Sequence, residues 1–535
     1  MRARKAILLF AVLALLAGAC GGDDDSSDTT SGGTETTAGT TETTAGTTET
    51  TAGATETTAT PGDAGGTLVA TRFESFDGWV LDSAAAYSSY QTHLAVMEPL
   101  IRFTEDGQSL APGLAKDWVY DPDALTITFT LQDGAAFSNG DPVTAEDVAF
   151  SLDVWRTGPN FGESWAAIAA VTGEGNQVVL ELEFPDNTIL PLMASSVSGI
   201  MPKDFAGMTE DDFYNSPIGA GPFVVEEWSL GGRIRMTPNP HYYDPERPYV
   251  DELILEVIAD ETERQNLFEA GQVHINEYLS PTVAPQYNEA AVYECIVHSI
   301  EHIGLNVTRP PFDDLAARQA VAYAVDYDAI DAALGEYFGL PSGILAPNIW
   351  HWVPPTKPYF RQDMAQAQEL AASSSLAGGV DVEMIYDAGN ELDTLVSQIV
   401  QANLAEIGVN VSLTALETGA FLDRAFSVDA DITPWNYGAI QPDMGDPMIW
   451  IWATGWLFSG YETDTLFNDF LDYGAAETEA DQEAVVAKIQ DDAIDHAAAI
   501  AVAEGSYLHA VNTDLTGFWS APWGLYYYDT IALGG

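Results

Sequence analysis

The sequence predicts an α/β protein built as two lobes, from two observations. Short period-two strands alternate with capped helices along most of the chain. About 470 residues follow a low-complexity segment, which is too long for one simple core. The strand Leu125-Thr126-Ile127-Thr128-Phe129-Thr130-Leu131 alternates and then turns at Asp133-Gly134. Pro142 and Val143 lead into Thr144, an N-cap candidate whose partner three residues on, Asp147, imitates a capping box. The predicted helix runs on through Val148 and Leu152. Thr262 with Gln265 reads as a second box, opening a helix over 263–270 that Gly271 stops. Asp313-Asp314 precede a predicted helix over 315–333, with Val321, Ala324, Val325 and Ala329 on one apolar face.

The N-terminus reads as an export signal. Arg2, Arg4 and Lys5 precede an apolar run over 6–19 that is too short to span a bilayer comfortably. Leu16-Ala17-Gly18-Ala19-Cys20 then resembles a bacterial lipobox, although Ala17 stands where that pattern usually has Leu. Acylation of Cys20 would anchor the chain to the outer face of the cell membrane, because each buried CH₂ contributes roughly 0.8 kcal/mol. An ordinary cleaved signal ending near a Cys is the alternative. Residues 21–65 repeat a Thr-Glu-Thr-Thr-Ala-Gly-Thr unit with no apolar seam, so they are expected to form a disordered tether. Such a chain of about 45 residues has an r.m.s. span on the order of 35–40 Å.

The charge is extreme, with 18 basic against 81 acidic residues and a net −63. That argues against a nucleic-acid partner, whose phosphates need basic side chains. The acidity would attract cationic ligands or keep the protein soluble in a salty habitat. With Cys20 lipidated, Cys295 is left alone and reads as a small buried apolar residue. Cys295, His298 and His302 imitate half a zinc site, but a strand over 292–298 would turn Cys295 and His298 to opposite faces, so no metal is expected. H-E-x-x-H, G-x-S-x-G and G-x-x-x-x-G-K-[ST] signatures are missing.

Several motifs occur in a telling order. The run 133–152 includes Phe137-Ser138-Asn139-Gly140-Asp141-Pro142-Val143-Thr144-Ala145-Glu146-Asp147. Then come Ile218-Gly219-Ala220-Gly221-Pro222-Phe223, with Trp228 and Asn239-Pro240. Leu267-Phe268-Glu269-Ala270-Gly271-Gln272 follows. Next are Leu305-Asn306, Pro311-Phe312-Asp313-Asp314 and Arg318-Gln319-Ala320-Val321, and last Ala405-Glu406-Ile407-Gly408-Val409. Together with Gln441-Pro442-Asp443-Met444-Gly445-Asp446-Pro447, they resemble the extracellular solute-binding protein family 5, the peptide-type substrate-binding lipoproteins of ABC importers.

The resemblance runs over roughly residues 66–535. It implies a two-lobed periplasmic-binding-protein-like fold with mixed sheets, an inserted subdomain and a hinge. Lobe I would hold 66–304, with an insertion at about 98–185, and lobe II would hold 305–507. Residues 508–535 would return to lobe I, with chain crossings near 303–306 and 508–511. The implied function is capture of a peptide or peptide-like solute in the inter-lobe cleft and delivery to a permease with its ATPase. The implied protein is a monomeric, extracytoplasmic binding protein without a cofactor, not an enzyme. An oligosaccharide or other organic solute is the alternative ligand, and a secreted hydrolase on the same scaffold the alternative class.

By the resemblance, Asp443 grips the ligand's amino terminus; a Pro-Asp turn start is the competing reading. Asp446 reads as structural. Trp435, Asn436 and Tyr437 stand where the family places an aromatic cleft wall, with lobe core as the alternative. Trp350 and Trp352, flanking His351, lie on a Pro-rich loop that aims at the cleft or packs beneath itself. Tyr87 and Ser88, beside Tyr90, are candidates for the first-lobe wall.

Overall fold

In the computed structural model the described residues are 65–534, apart from 73–75, 77, 82–86, 159–161, 281, 439–440, 445–458, 462–463 and 522–523. The lipobox with Cys20, most of the tether and Asp446 therefore lie outside the described residues.

The first half runs β1 (Thr67–Arg72), α1 (Tyr87–Val96), β2 (Ala115–Asp121), β3 (Thr126–Leu131), α2 (Ala145–Trp155), β4 (Ile168–Thr172), β5 (Gln177–Leu182), β6 (Phe223–Trp228), β7 (Ile234–Pro238), β8 (Glu252–Val257), α3 (Glu261–Glu269), β9 (Ile275–Asn276) and β10 (Val292–Leu305). The second half adds α4 (Leu315–Ala324), α5 (Tyr327–Leu334), β11 (Phe338–Gly339), β12 (Val380–Asp387), α6 (Glu391–Ala405), β13 (Val409–Leu416), β14 (Ile432–Gly438), α7 (Asp464–Gly474) and β15 (Ala499–Val511).

Strands β2, β3, β5 and β4 form a separate antiparallel sheet in that spatial order. The alternation read in the sequence is kept, since Ile127, Phe129 and Leu131 are buried and the threonines between them are half-buried. Helix α2 covers this sheet with Val148, Leu152 and Trp155, and Trp155 stacks on Trp165 with ring centroids 4.7 Å apart. The expected capping pair is present. Asp147 Oδ2 accepts the Thr144 backbone N–H at 2.8 Å and the Thr144 hydroxyl at 2.6 Å, while Oδ1 accepts the Lys203 N–H at 2.7 Å.

Two helix expectations are corrected. Helix α3 is capped by Asp260, whose carboxylate accepts the Glu263 N–H, so Thr262 falls inside the first turn. Asp outranks Thr as an N-cap, and it comes two residues earlier. Gly271 does follow the helix, at φ +68°. The predicted helix over 315–333 is two helices. Val325 is extended, and Asp326 turns its carboxylate onto the Ala329 N–H to start α5, a local bond that competes with helix continuation.

Among the described residues the main sheet has 11 strands in the order β13-β12-β14-β10-β15-β9-β1-β8-β7-β6, with β11 attached to β15. It is mixed: β1 runs parallel to β8 and β9, and β12 parallel to β13, whereas β10 lies antiparallel to β14 and β15. One apolar core gathers Leu68, Met97, Phe129, Leu253, Ile275 and Tyr528. A second gathers Ile303, Val321, Met384, Val400, Ile432 and Ile500. Strands β10 and β15 pair from Val292 opposite Ala510 to Gly304 opposite Ala499, and so run from the neighbourhood of one core into the other. Their register breaks between Cys295 and Ser299 and again between Glu301 and His302. Cys295 is buried, and burial pushes its thiol up to about 12.

Candidate functional site

Asp443 is 2 % exposed, in the loop that follows β14. Gln441 Nε2 donates to its Oδ1 at 3.4 Å, and the Tyr473 hydroxyl, from α7, donates to Oδ2 at 3.3 Å. Burial, reinforced by the Asp443 charge, holds the Tyr473 pKa well above the usual phenol value, so this hydroxyl stays a donor. His351 Nδ1 lies 2.9 Å from the same hydroxyl. A hydroxyl has one proton to give, so His351 must supply the Nδ1–H of this contact. Burial lowers the His351 pKa, which favours the neutral ring. Asp443, Tyr473 and His351 thus form one hydrogen-bonded chain.

The loop around His351 ties this chain to the first half of the protein. The Trp350 backbone N–H donates to Pro442 O at 2.7 Å, and its indole Nε1 donates to Gly107 O at 2.8 Å. Its ring meets Phe103 edge-on, with centroids 6.0 Å apart. On the other side of Tyr473, the Asn187 backbone N–H donates to Gly474 O at 2.7 Å, and Asn187 Nδ2 donates to Ala476 O at 2.6 Å. These two bridges from the first half are therefore anchored within three residues of the chain that ends on Asp443.

Trp352 and Trp435 are half-buried against the apolar cluster that contains Met444 and Tyr473, which brings both close to the Asp443 loop. Trp352 Nε1 donates to Leu345 O at 3.0 Å, and Trp435 stacks on Phe421 at 6.1 Å. Asn436 Oδ1 accepts the Ser299 hydroxyl at 2.9 Å. The Tyr437 backbone lies opposite Ile300 in the ladder. Tyr87 opens α1, and Ser88 behind it is buried in the first half, where its carbonyl accepts Arg72 Nη1 at 2.6 Å. Arg72 is itself ion-paired to Glu277 at 3.0 Å. Asp443, Trp350, Trp352 and Trp435 thus share one neighbourhood, and Ser88 sits beside the Arg72–Glu277 pair.

Sequence reasoning missed Tyr473, Glu301 and Asp393. Glu301 is fully buried in β10, and burial pushes its pKa up to about 8. Asp393 is buried in the first turn of α6, and burial, followed by the Glu301 charge, raises its pKa as well. Two ionisable residues in succession within an apolar strand, in Ile300-Glu301-His302-Ile303, were the available signal. His302 is buried too; its Nε2 lies 3.3 Å from Ile344 O, and burial lowers its pKa to about 4. No group of three or more metal-capable side chains occurs among the described residues.

The sequence profile of bacterial extracellular solute-binding proteins, family 5 Middle, matches residues 109–458. The chain is 25 % identical over 398 residues to di/tripeptide-binding protein 3 of Pseudomonas aeruginosa, covering 67 % of this chain and 73 % of that protein. Among solved structures it resembles the periplasmic binding protein DppA from Helicobacter pylori in complex with the peptide STSA. That match has TM-score 0.78 and 19 % identity over 88 % of this chain and 99 % of the other. It also resembles the binding protein AgaA from A. tumefacien R10 in complex with agropinic acid, with TM-score 0.78 and 23 % identity over 88 % and 99 % of the two chains. At these identities the structural likeness is one of fold, and that fold is the two-lobed α/β architecture. With the profile spanning most of the chain, including the Asp443 loop, the protein belongs to the bacterial extracellular solute-binding proteins, family 5.

Proposed function

We propose that the protein is the lipid-anchored, extracytoplasmic binding component of an ABC importer. It captures a peptide or peptide-like solute between lobes of about 66–304 with 508–535 and about 305–507, and presents the closed form to a permease. Asp443 takes the ligand's ammonium group, and Trp350, Trp352, Trp435, Asn436 and Tyr437 surround the bound solute. The observation that carries this reading is the buried Asp443 carboxylate, held by Tyr473 and Gln441 beside the loop that bridges to Gly107. A desolvated carboxylate makes a charge-assisted bond roughly twice as strong as a neutral one. The peptide-binding relatives and the peptide complex among the fold neighbours support the ligand class. Cys20 carries the lipid, and residues 21–65 act as the tether.

A second reading, a non-peptide organic solute, is favoured by the neighbour that holds agropinic acid. Native mass spectrometry of the purified protein separates the two by weighing what co-purifies, and titration with a peptide library tests the first directly. Peptide masses that leave on mild denaturation are the expected result. A library that moves neither tryptophan emission nor heat would overturn the peptide reading. A Cys20→Ala variant is expected to lose the membrane fraction, and unchanged membrane association would remove the anchor.

A further inference from the structure

Glu301 and Asp393 form a buried acidic pair outside the Asp443 chain, at 0 % and 2 % exposure. Among the described residues neither oxygen of Glu301 meets hydrogen-bond geometry, although the Asn436 side chain lies close enough to favour its charged form, and Oδ1 of Asp393 has no partner. Ser397 lies one turn along α6 from Asp393, on the same helix face, and its hydroxyl is also unbonded. Two α6 side chains and one β10 side chain thus carry four unsatisfied oxygens. Among the described residues no lysine or arginine acts on either acid; the Asn436 side chain favours the charged form of Glu301, and the Asp387 backbone N–H, 3.4 Å from Oδ2, that of Asp393. An unpaired buried charge is far costlier than a surface one, so these acids must either hold a proton or meet a cation.

The pair lies where the two halves meet. Glu391, two residues before Asp393, accepts the Thr282 hydroxyl at 3.0 Å and the Ser280 hydroxyl at 3.4 Å on Oε2. Asn436, directly opposite Glu301 in the ladder, stays half-buried and holds the Ser299 hydroxyl. The register break between Glu301 and His302 falls at the same place.

We propose that Glu301 and Asp393, framed by Ser299, Asn436 and Ser397, are a second cation receptor of the ligand site, taking a guanidinium or primary ammonium group that the solute carries away from its amino terminus. This rests on the proposed capture of an amine-bearing solute at Asp443, and it narrows the ligand to a basic one. In the absence of solute the two acids share a proton, because burial and mutual repulsion disfavour the doubly charged pair. The arriving cation replaces that proton, which leaves to solvent. A guanidinium offers up to five N–H donors to the free oxygens, and an ammonium three. The preference thus lies in the body of the solute, and Asp443 remains the reader of its end.

Calorimetry tests this with three tripeptides, Ala-Lys-Ala, Ala-Arg-Ala and Ala-norleucine-Ala, in two buffers of different ionisation enthalpy. About 0.5 M salt screens the acidic surface beyond roughly 4 Å. The basic peptides are expected to bind at least tenfold more tightly than the norleucine peptide and to release protons at pH 7. Glu301→Gln and Asp393→Asn should each bring the three peptides to equal affinity and remove the proton release. Equal affinities for the three peptides in the wild-type protein would overturn this site and leave the peptide reading standing, a comparison that needs no variant to fold. Binding of none of the three would overturn both. Calcium or sodium ions stabilising the wild type but not Glu301→Gln would reassign the oxygens to a metal ion and overturn the proposal.

Discussion

Replacing Asp443 with Asn removes one charge and almost no volume. Two bonds to Asp443, 3.4 Å from Gln441 and 3.3 Å from Tyr473, are long beside the roughly 2.7–2.9 Å of a tight charge-assisted bond. In the variant the Asn oxygen still accepts from Tyr473. Its new N–H groups would face the Gln441 amide, but Gln441 Oε1 is buried without a partner, so an amide flip turns the clash into a bond. Folding stability is therefore expected to stay within about 1 kcal/mol. Ligand binding should not. A hydrogen bond to a charged group contributes about 1.5–3 kcal/mol, which corresponds to roughly ten- to 150-fold in affinity. The assay is calorimetry with a peptide and its N-acetylated form on both proteins. Acetylation should cost the wild type that same factor and cost the Asn variant almost nothing. A folded variant of unchanged affinity, or an acetylation penalty that survives the substitution, would refute the assignment of Asp443 to the ammonium group.

Tyr473→Phe should weaken the same peptide by about 1 kcal/mol, less than Asp443→Asn, because it takes one donor from the carboxylate and leaves the charge; titration on both variants checks the order. Trp350→Phe keeps the ring against Phe103 but loses the indole bond to Gly107, and should lower closed-form population by about 1 kcal/mol in an inter-lobe distance measurement. Asp147→Ala removes the bonds to Thr144 and Lys203 and should cost about 1–3 kcal/mol in denaturant unfolding. Folded Glu301 keeps its proton to about pH 8, whereas the unfolded chain releases it above about pH 4.3. Its contribution to stability is thus complete below about pH 4, falls as pH rises to 8, and is flat beyond. Urea midpoints of the wild type should fall relative to Glu301→Gln across that window, and parallel pH profiles would contradict it.

Much of the fold was legible because it rests on local interactions. The capping pair Thr144–Asp147, the alternation of Thr126–Leu131 and the stop at Gly271 each depend on residues a few positions apart. Where two local solutions competed, the stronger cap decided: Asp260 started α3 ahead of Thr262, and Asp326 divided a helix whose apolar pattern runs on unbroken. The Asp443 loop stands out in the sequence by its motif and residue types, but the burial of its carboxylate is seen only in the structure.

What the chain alone determined was therefore the α/β class, the order of elements and a short set of acidic and aromatic candidate residues. Tertiary structure decided which acid is desolvated and what touches it. Asp443 meets a tyrosine 30 residues away, and Glu301 on a strand feels Asp393 on a helix. A carboxylate's strength as a ligand group is set by the water it has lost and the donors and charges around it. Those neighbours come together only when distant segments pack.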